Sequence, residues 1–410
     1  MTPRRTGWLA GLLAAAGFLA VSHALHVRPG HPIAERTDVF FQSDAGGLIQ
    51  DAVLNRDNRA RGTHPLIYPL WTRPLHTLTR WISPTFDPAT TATFVSRLLV
   101  AIAAGLGIGA TARALVARGL RADRTIAFTL LTVVANGHTL AAIPDHFGFS
   151  VGIIGLAFAT LLTERSVRFR AIALAILAPL AFGITITNIF LPLGLIAVLV
   201  VHDCRASIRR WHVIAAVLTI VAVGCAVRAI TTTPSIQARL RERVSLYLNL
   251  RLVDDPLAAL GYSARGVVDA AVAPTPRVLR NNLDRMPMLT YESETGPRPF
   301  GPHDAIQTTG ALVWIGLLGW GTRAGWNDAA LRPATLGALG WTAGNAAFHN
   351  VWGDEYFLYT PHFALPLMTV AAFGFRALPA RVFYPSIVVV AGAALHTLRQ
   401  YQLLLNGIVE

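Results

Sequence analysis

Long apolar runs alternate with shorter polar connections along almost the whole chain. A membrane-spanning helix needs ~20 mostly apolar residues, and about eleven segments fit that template. The fifth and sixth segments run together, and Pro179, Asn188 and Pro192 interrupt the combined stretch, which predicts a tight turn or a broken helix. The segments lie near residues 7–25, 92–117, 125–142, 147–163, 169–186, 187–202, 212–230, 306–321, 333–349, 357–375 and 382–404.

Composition supports a membrane protein and excludes a soluble domain. The 410 residues are 53% hydrophobic and only 14% charged, with a mean hydropathy of +0.49. The net charge of +13 comes from arginine, since the chain contains no lysine, and the arginines are divided among short clusters. That distribution indicates membrane topology and argues against a nucleic-acid partner. Cys204 and Cys225 predict neither a disulfide nor a metal site.

Arginine placement predicts which side of the membrane each connection occupies, because positively charged connections stay in the cytoplasm. Arg4 and Arg5 precede the first apolar run, and arginines recur in every second connection after it. The sequence therefore predicts a multi-pass protein of the bacterial inner membrane with a cytoplasmic N-terminus. Alternatively, the first run is a signal peptide cleaved after Ser22-His23-Ala24, which leaves the remaining topology unchanged.

Two long polar segments, residues 27–91 and 231–305, fall on the opposite, extracytoplasmic side. Each contains an amphipathic stretch of the kind that lies along a membrane surface, Ala45 to Leu54 and Ile236 to Leu252. Neither segment has the character of an independent domain. The predicted fold is thus an all-α polytopic membrane protein, one integral-membrane domain over residues 1–410. It has about eleven transmembrane helices and a large first extracytoplasmic loop carrying amphipathic helices.

Nearly all the unusual polar residues fall in the extracytoplasmic connections. Ionisable groups at a membrane face are costly, so they tend to serve function or to pair with one another. A carboxylate there can act as general base toward a hydroxyl or amine acceptor, and arginine or histidine can hold a phosphate leaving group. Transfer from a lipid phosphate requires this division of labour. The candidates are Asp38, Asp44, His64, Asp145, His146, Asn188, Asp354, Glu355 and His362.

The early candidates also have structural interpretations. Asp44 is placed to cap the amphipathic stretch that begins at Ala45, since aspartate is a preferred N-cap residue. His64 precedes a proline and suits a turn. For Asp145 and His146, a solvated turn is the preferred interpretation.

The later candidates are similarly ambiguous. Asn188 suits local backbone hydrogen bonds, with a polar wall of a site as the alternative. Asp354 and Glu355 adjoin aromatic residues typical of an interfacial belt. Glu355 and His362 are seven residues apart and share a face if one helix contains both. Arginines of the second loop suit lipid headgroups or a donor phosphate.

The topology and three short stretches resemble the GT-C superfamily of integral-membrane glycosyltransferases, which includes protein mannosyltransferases and the lipid A aminoarabinose transferase. The stretches are Phe41-Gln42-Ser43-Asp44, His64 to Leu70 and Glu355 to His362. The resemblance implies a polyprenyl-phosphate-linked sugar donor, an extracytoplasmic acceptor (glycan, lipid or protein) and inversion at the anomeric carbon. It implies Asp44 as catalytic base, with Asp38 as the alternative, and a site on the periplasmic or extracellular face.

Two features depart from that superfamily. Many members have two adjacent acidic residues in the first loop, whereas Asp44 is followed by Ala45-Gly46-Gly47. Many also carry a soluble C-terminal domain, whereas this sequence ends about a helix after Arg381. A divalent metal, Mg²⁺ or Mn²⁺, on a carboxylate such as Asp44 stays open, because no spacing demands it.

Two further functions fit the pattern. One is a secondary transporter or flippase for a lipid-linked or anionic solute, which would place polar groups near the membrane midplane. The polar residues within the apolar runs are few, mainly Asn136, His138, Asn188 and Asn345, and no internal repeat is evident. Both facts weigh against transport. The other is an inactive scaffold subunit, which fits the missing acidic pair.

Overall fold

The computed structural model describes residues 1–25, 27, 45–55, 71–82, 87–185, 188, 190–202, 214, 256–280, 287–290, 303–351 and 360–409. Regular structure in these ranges is helical except for one antiparallel pair of strands, β1 Arg277–Arg280 and β2 Pro287–Thr290. The helices are α1 Pro3–Ala24, α2 Ala45–Leu54, α3 Arg73–Ile82, α4 Pro88–Ala117, α5 Ala122–Val134, a 3₁₀ segment Asn136–Ala142, α6 His146–Leu162, α7 Val167–Ile184, α8 Phe190–His202, α9 Pro256–Asp269, α10 Ala305–Asn327, α11 Arg332–Val351, α12 Pro361–Phe375 and α13 Ala380–Val409.

The helical membrane architecture predicted from the sequence is confirmed in its coarse form. Every predicted apolar segment contains a helix except 212–230, which lies outside the described residues apart from Ile214. Within the described ranges, 4 helices are long and apolar enough to cross a membrane, or up to 5 if the bent pair α5 and 3₁₀ segment is one span. The predicted total of about eleven spans stays a prediction.

Helices α1 and α4 pack at close range because both present glycine to the shared face. Gly7 and Gly11 of α1 lie against Gly105 and Gly109 of α4, and a Cβ added at Gly109 would stand 2.7 Å from the carbonyl oxygen of Gly7. Close backbone approach is a main source of helix association in lipid, where apolar burial contributes little. Larger side chains at these positions would force the two helices apart.

Turns that carry arginine meet at one end of the helix bundle, which we call the arginine-rich end. Arg118 donates from Nε to the carbonyl oxygen of Leu162 at 2.7 Å, joining the ends of α4 and α6. Arg124 donates from Nη2 to the carbonyl oxygen of Leu378, after α12, also at 2.7 Å. The opposite end, where α6, α8 and α12 begin, is called the distal end. This grouping of arginines is what alternating spans require.

Asn136 holds a sharp bend at the distal end, where α5 turns by 73° into the 3₁₀ segment. Its Nδ2 donates to the carbonyl oxygen of Ala394 in α13 at 3.0 Å, and its Oδ1 accepts from the backbone of Ala273 at 2.9 Å. The N–H groups of Asn136 and Gly137 donate to two carbonyls just after α9. The polar backbone of the bend is therefore satisfied by protein, as a break at membrane depth requires.

Candidate functional site

Helix α6 begins with a buried carboxylate and imidazole. Asp145 caps the helix, because its Oδ1 accepts from the backbone N–H of His146 at 2.6 Å and lies 2.8 Å from His146 Nδ1. The two residues are 1% and 8% exposed. The solvated turn preferred from the sequence is therefore wrong. With the proton on Nδ1, the pair fixes the ring and leaves Nε2 as the nitrogen available for other contacts.

The start of α12 brings a second histidine to the same place. The ring centroid of His362 lies 6.1 Å from that of His146 and 5.7 Å from that of Phe147. His362 is 1% exposed, and its carbonyl oxygen accepts from Trp341 Nε1 at 2.7 Å. Thr360 ties the beginning of α12 to the 3₁₀ segment. Two candidates that are distant in sequence are thus brought into one cluster.

Asn188 borders this pair of histidines. Its Nδ2 donates to Ser150 Oγ at 3.0 Å, and both residues are fully buried. Ser150 lies one turn after His146 on α6. The backbone N–H of Asn188 also donates to the carbonyl oxygen of Thr185, which is a local backbone hydrogen bond, and the role of Asn188 as a polar wall of a site stays a prediction. We call Asp145, His146, Ser150, Asn188 and His362 the histidine cluster.

The other candidates, Asp38, Asp44, His64, Asp354 and Glu355, lie outside the described residues. Helix α2 has the bounds predicted for the amphipathic stretch and starts directly after Asp44. The shared helix face of Glu355 and His362 stays a prediction, since α12 begins only at Pro361.

Helices of the first long loop pack beside the histidine cluster. Leu48 of α2, Leu75 of α3 and the buried Trp71 form an apolar cluster with the outer part of α4. The Trp71 ring lies 5.3 Å from that of Phe149, which is three residues after His146 on α6. The segment that follows Asp44 therefore sits next to the start of α6.

An apolar groove runs between α8 and α11, with a volume of about 460 Å³. Three glycines open it, Gly194 of α8 and Gly340 and Gly344 of α11, because a Cβ at any of them would meet nothing within 4 Å. Trp341 lines the groove and donates to His362, as above. Phe190, at the distal mouth, follows Asn188 by two residues. The groove thus adjoins the histidine cluster.

A second buried polar group, which we call the Asp269 cluster, also lies at the distal end. Asp269, fully buried at the end of α9, pairs through Oδ1 with Arg265 Nε at 3.2 Å and His303 Nε2 at 3.3 Å. Burial raises the pKa of Asp269, and the hydrogen bond from His303 and the charge of Arg265 oppose that shift. Sequence reasoning missed this cluster.

The residue after His303 begins a separate network around the start of α10. Asp304 and Gln307 form a capping box, and Asp304 Oδ2 accepts from His396 Nε2 at 2.7 Å. Gln307 Nε2 donates to Thr397 Oγ1 at 3.0 Å. The capping-box pattern, an aspartate three residues before glutamine at the start of an apolar run, was visible in the sequence.

Metal ligation is not indicated in the part of the chain that the structure describes, where no group of three or more His, Cys, Asp or Glu is suited to hold an ion. No protein-family model, curated protein or solved structure matches this chain.

Proposed function

We propose that this chain is a membrane glycosyltransferase of GT-C type, which moves a sugar from a polyprenyl-phosphate donor to an extracytoplasmic glycan, lipid or protein. The observation that supports it best is the position of the histidine cluster at the mouth of an apolar groove between two apolar helices. A lipid phosphate has the same two parts, a charged head and a long hydrocarbon tail. The polar groups suit the charged head, and the apolar groove beside them suits the hydrocarbon tail.

In the proposed reaction, Asp44 removes the proton from the acceptor hydroxyl or amine. The acceptor oxygen or nitrogen attacks the anomeric carbon from the face opposite the phosphate, the bond from that carbon to the phosphate oxygen breaks, and the polyprenyl phosphate leaves with the electron pair. His362, and His146 when it carries a proton on Nε2 as well as on Nδ1, hold the phosphate as hydrogen-bond donors. Asp145 orients His146, and Asn188 contributes a polar wall.

The groove receives the first part of the polyprenyl chain. Its α8 wall runs from Phe190 to Val198, which is about 12 Å at 1.5 Å per residue, or most of one leaflet of a ~30 Å hydrocarbon core. The remaining tail extends into lipid. The groove therefore supplies affinity for the tail while the histidine cluster discriminates the head.

The test is transfer by the purified full-length protein in proteoliposomes, using radiolabelled polyprenyl-phosphate sugars and extracted envelope acceptors. Asp44→Asn should lose at least about 100-fold in rate, the usual scale of a general base. Asp87→Asn is the matched control, because Asp87 caps α4 and is exposed, and asparagine caps equally well. Full transfer by Asp44→Asn would contradict the catalytic assignment.

A second candidate, transport of a lipid-linked or anionic solute, is favoured by the broken helix beside His138. The imidazole is fully buried, and its Nδ1 lies 2.8 Å from the Thr132 carbonyl oxygen. Its Nε2 has no hydrogen-bond partner in the described ranges. Broken helices with polar residues are typical of transporter sites. Solute counterflow that His138→Phe abolishes, without transfer activity in the wild-type protein, would favour this candidate.

A further inference from the structure

Helix α3 presents an apolar stripe and a basic edge on its exposed side. Trp81 is 79% exposed and Leu78 36% exposed, and at 100° per residue they lie within about 60° of each other. Arg73 and Arg80, both exposed, lie next to each other on the flank of that stripe. The opposite face, with Leu75, is buried against the bundle. Nothing acidic occurs in α3.

The depth of α3 follows from its packing against α4. The 20 residues between Arg97 and Arg118 rise about 30 Å, the thickness of a hydrocarbon core. Arg113, inside that stretch, is exposed and long enough to extend toward the nearer end. Val95 lies just beyond Arg97, and it shares an apolar cluster with Leu75 of α3. Helix α3 therefore sits at the level of the lipid headgroups.

We propose that α3 is a binding surface for anionic phospholipid. Trp81 and Leu78 enter the boundary between headgroups and acyl chains, where tryptophan is favoured, and Arg73 and Arg80 contact the lipid phosphates. The depth of α3 favours lipid over a protein partner as the occupant. This proposal does not rest on the transferase.

A consequence is that lipid charge acts on the first-loop helices. His76 of α3 contacts the Ala52 carbonyl oxygen of α2 through Nδ1 at 2.9 Å, and α2 and α3 share the apolar cluster with α4. A lipid-bound α3 therefore holds α2, the helix after Asp44, in a fixed place. In neutral lipid this restraint weakens.

The experiment uses the full-length protein with Cys204→Ser and Cys225→Ser, and one new cysteine, Thr77→Cys, carrying an environment-sensitive fluorophore. Thr77 is exposed and lies between Arg73 and Trp81 around the helix. Nanodiscs of phosphatidylcholine, with or without phosphatidylglycerol, are doped with nitroxide lipid. We expect nitroxide lipid to quench the probe strongly and aqueous iodide to quench it weakly. Phosphatidylglycerol should increase the difference between the two.

Lipid preference is then measured by native mass spectrometry of the protein with both lipids. Arg73→Gln and Arg80→Gln should each lower the preference for phosphatidylglycerol about fivefold, the effect of one basic residue near an anionic surface. Trp81→Ala should reduce nitroxide quenching without changing lipid preference. The matched control is Arg399→Gln, another exposed arginine, near the distal end of α13, which should keep the wild-type preference.

Three results would overturn the proposal. Strong iodide quenching with no nitroxide quenching would place α3 in water. Protection from both quenchers would indicate a protein partner or a second copy of the chain. An equal loss of lipid preference in Arg399→Gln and Arg73→Gln would show a general charge effect in place of a site on α3.

Discussion

The histidine cluster and the Asp269 cluster are both buried, ionisable and at the distal end, yet their contacts differ. In the Asp269 cluster, one carboxylate oxygen lies within 3.3 Å of both a guanidinium and an imidazole nitrogen. In the histidine cluster, the centroids of the His146 and His362 rings lie 6.1 Å apart, and both rings lie near Phe147 beside an open groove. A buried charged group therefore does not by itself indicate a functional site, because such a group can equally well hold a loop in place.

We assign a structural role to the Asp269 cluster, which is to hold neighbouring elements together. It joins α9 to the residue before the α10 cap, and the network next to it joins α10 to α13 through Gln307 and Thr397. The backbone just after Asp269 also satisfies the bend at Asn136. These bonds hold α9 and the residues just after it against the start of α10 and the bend at Asn136.

The largest expected effect is the loss of stability in Asp269→Ala. Removing the carboxylate takes away the buried partner of Arg265 and His303, which should lower the free energy of unfolding by about 3 kcal/mol. Thermal unfolding in a fixed detergent measures it, and the folded fraction should keep wild-type transfer. An unchanged melting temperature with lost transfer would move Asp269 into the functional site and remove the distinction between the clusters.

A matched pair of histidine variants tests the same distinction between a functional site and a structural contact, this time at the histidine cluster. His362→Phe keeps the ring packing with Phe147 but removes both nitrogens, so transfer should fall by about 100-fold at a nearly unchanged melting temperature. His396→Phe, which loses the hydrogen bond to Asp304, should lower the melting temperature slightly and leave transfer intact. The opposite pattern would mean that the active groups lie around α10 and α13.

Sequence patterns predicted the positions of the apolar helices because apolar length is a local property, but they did not predict α3 or α9. Helix α2 has the predicted bounds, Ala45–Leu54, and the interruption predicted around Asn188 is the break between α7 and α8. Topology also predicted that Asp145, His146, Asn188 and His362 belong to one side. Their contacts confirm that they lie at one end of the bundle.

The features that could not be predicted from the sequence are those that depend on tertiary contacts. Asp145 and His146 follow a proline in a polar connection, yet both are buried in the folded chain. Asp269, His303 and His396 are distant in sequence, so nothing local links them. The groove arises from glycines on α8 and α11 that share no sequence motif.

Filling the groove should produce a moderate effect that is confined to lipid-linked substrates. Gly344→Leu places a side chain in the space where a Cβ meets nothing within 4 Å, so KM for a long-chain donor should rise about tenfold, or ~1.4 kcal/mol. A short-chain donor should be affected less. Gly316→Leu is the matched control, because its Cβ also meets nothing but lies on α10, away from the groove.

Equal changes in KM for long-chain and short-chain donors would mean that the groove does not hold the tail. Equal effects of Gly316→Leu and Gly344→Leu would point to a general disturbance of helix packing. Either result would remove the support for a lipid-binding groove beside the histidine cluster.

The smallest expected effect is a pH dependence of stability that comes from Asp304. Its partial burial acts to raise the pKa, but the backbone hydrogen bond from Gln307 and the contact with His396 hold the pKa of Asp304 below its ordinary value. A lowered folded-state pKa contributes stability above the unfolded pKa, and that stability is lost as pH falls through the folded pKa. Because the side chain is 40% exposed, solvent screening keeps the contribution well under ~1 kcal/mol.

Asp304→Asn isolates this contribution, since asparagine still caps α10 but does not ionise. The melting temperatures of the wild-type protein and the variant should differ by a constant amount above about pH 5 and converge as the pH falls below about 4, through the lowered folded-state pKa of Asp304. A gap that persists at low pH would assign the stabilisation to the hydrogen-bond geometry of the cap. Convergence would show that the charge of Asp304 helps fasten α10 to α13, and that this face of the molecule is built for stability.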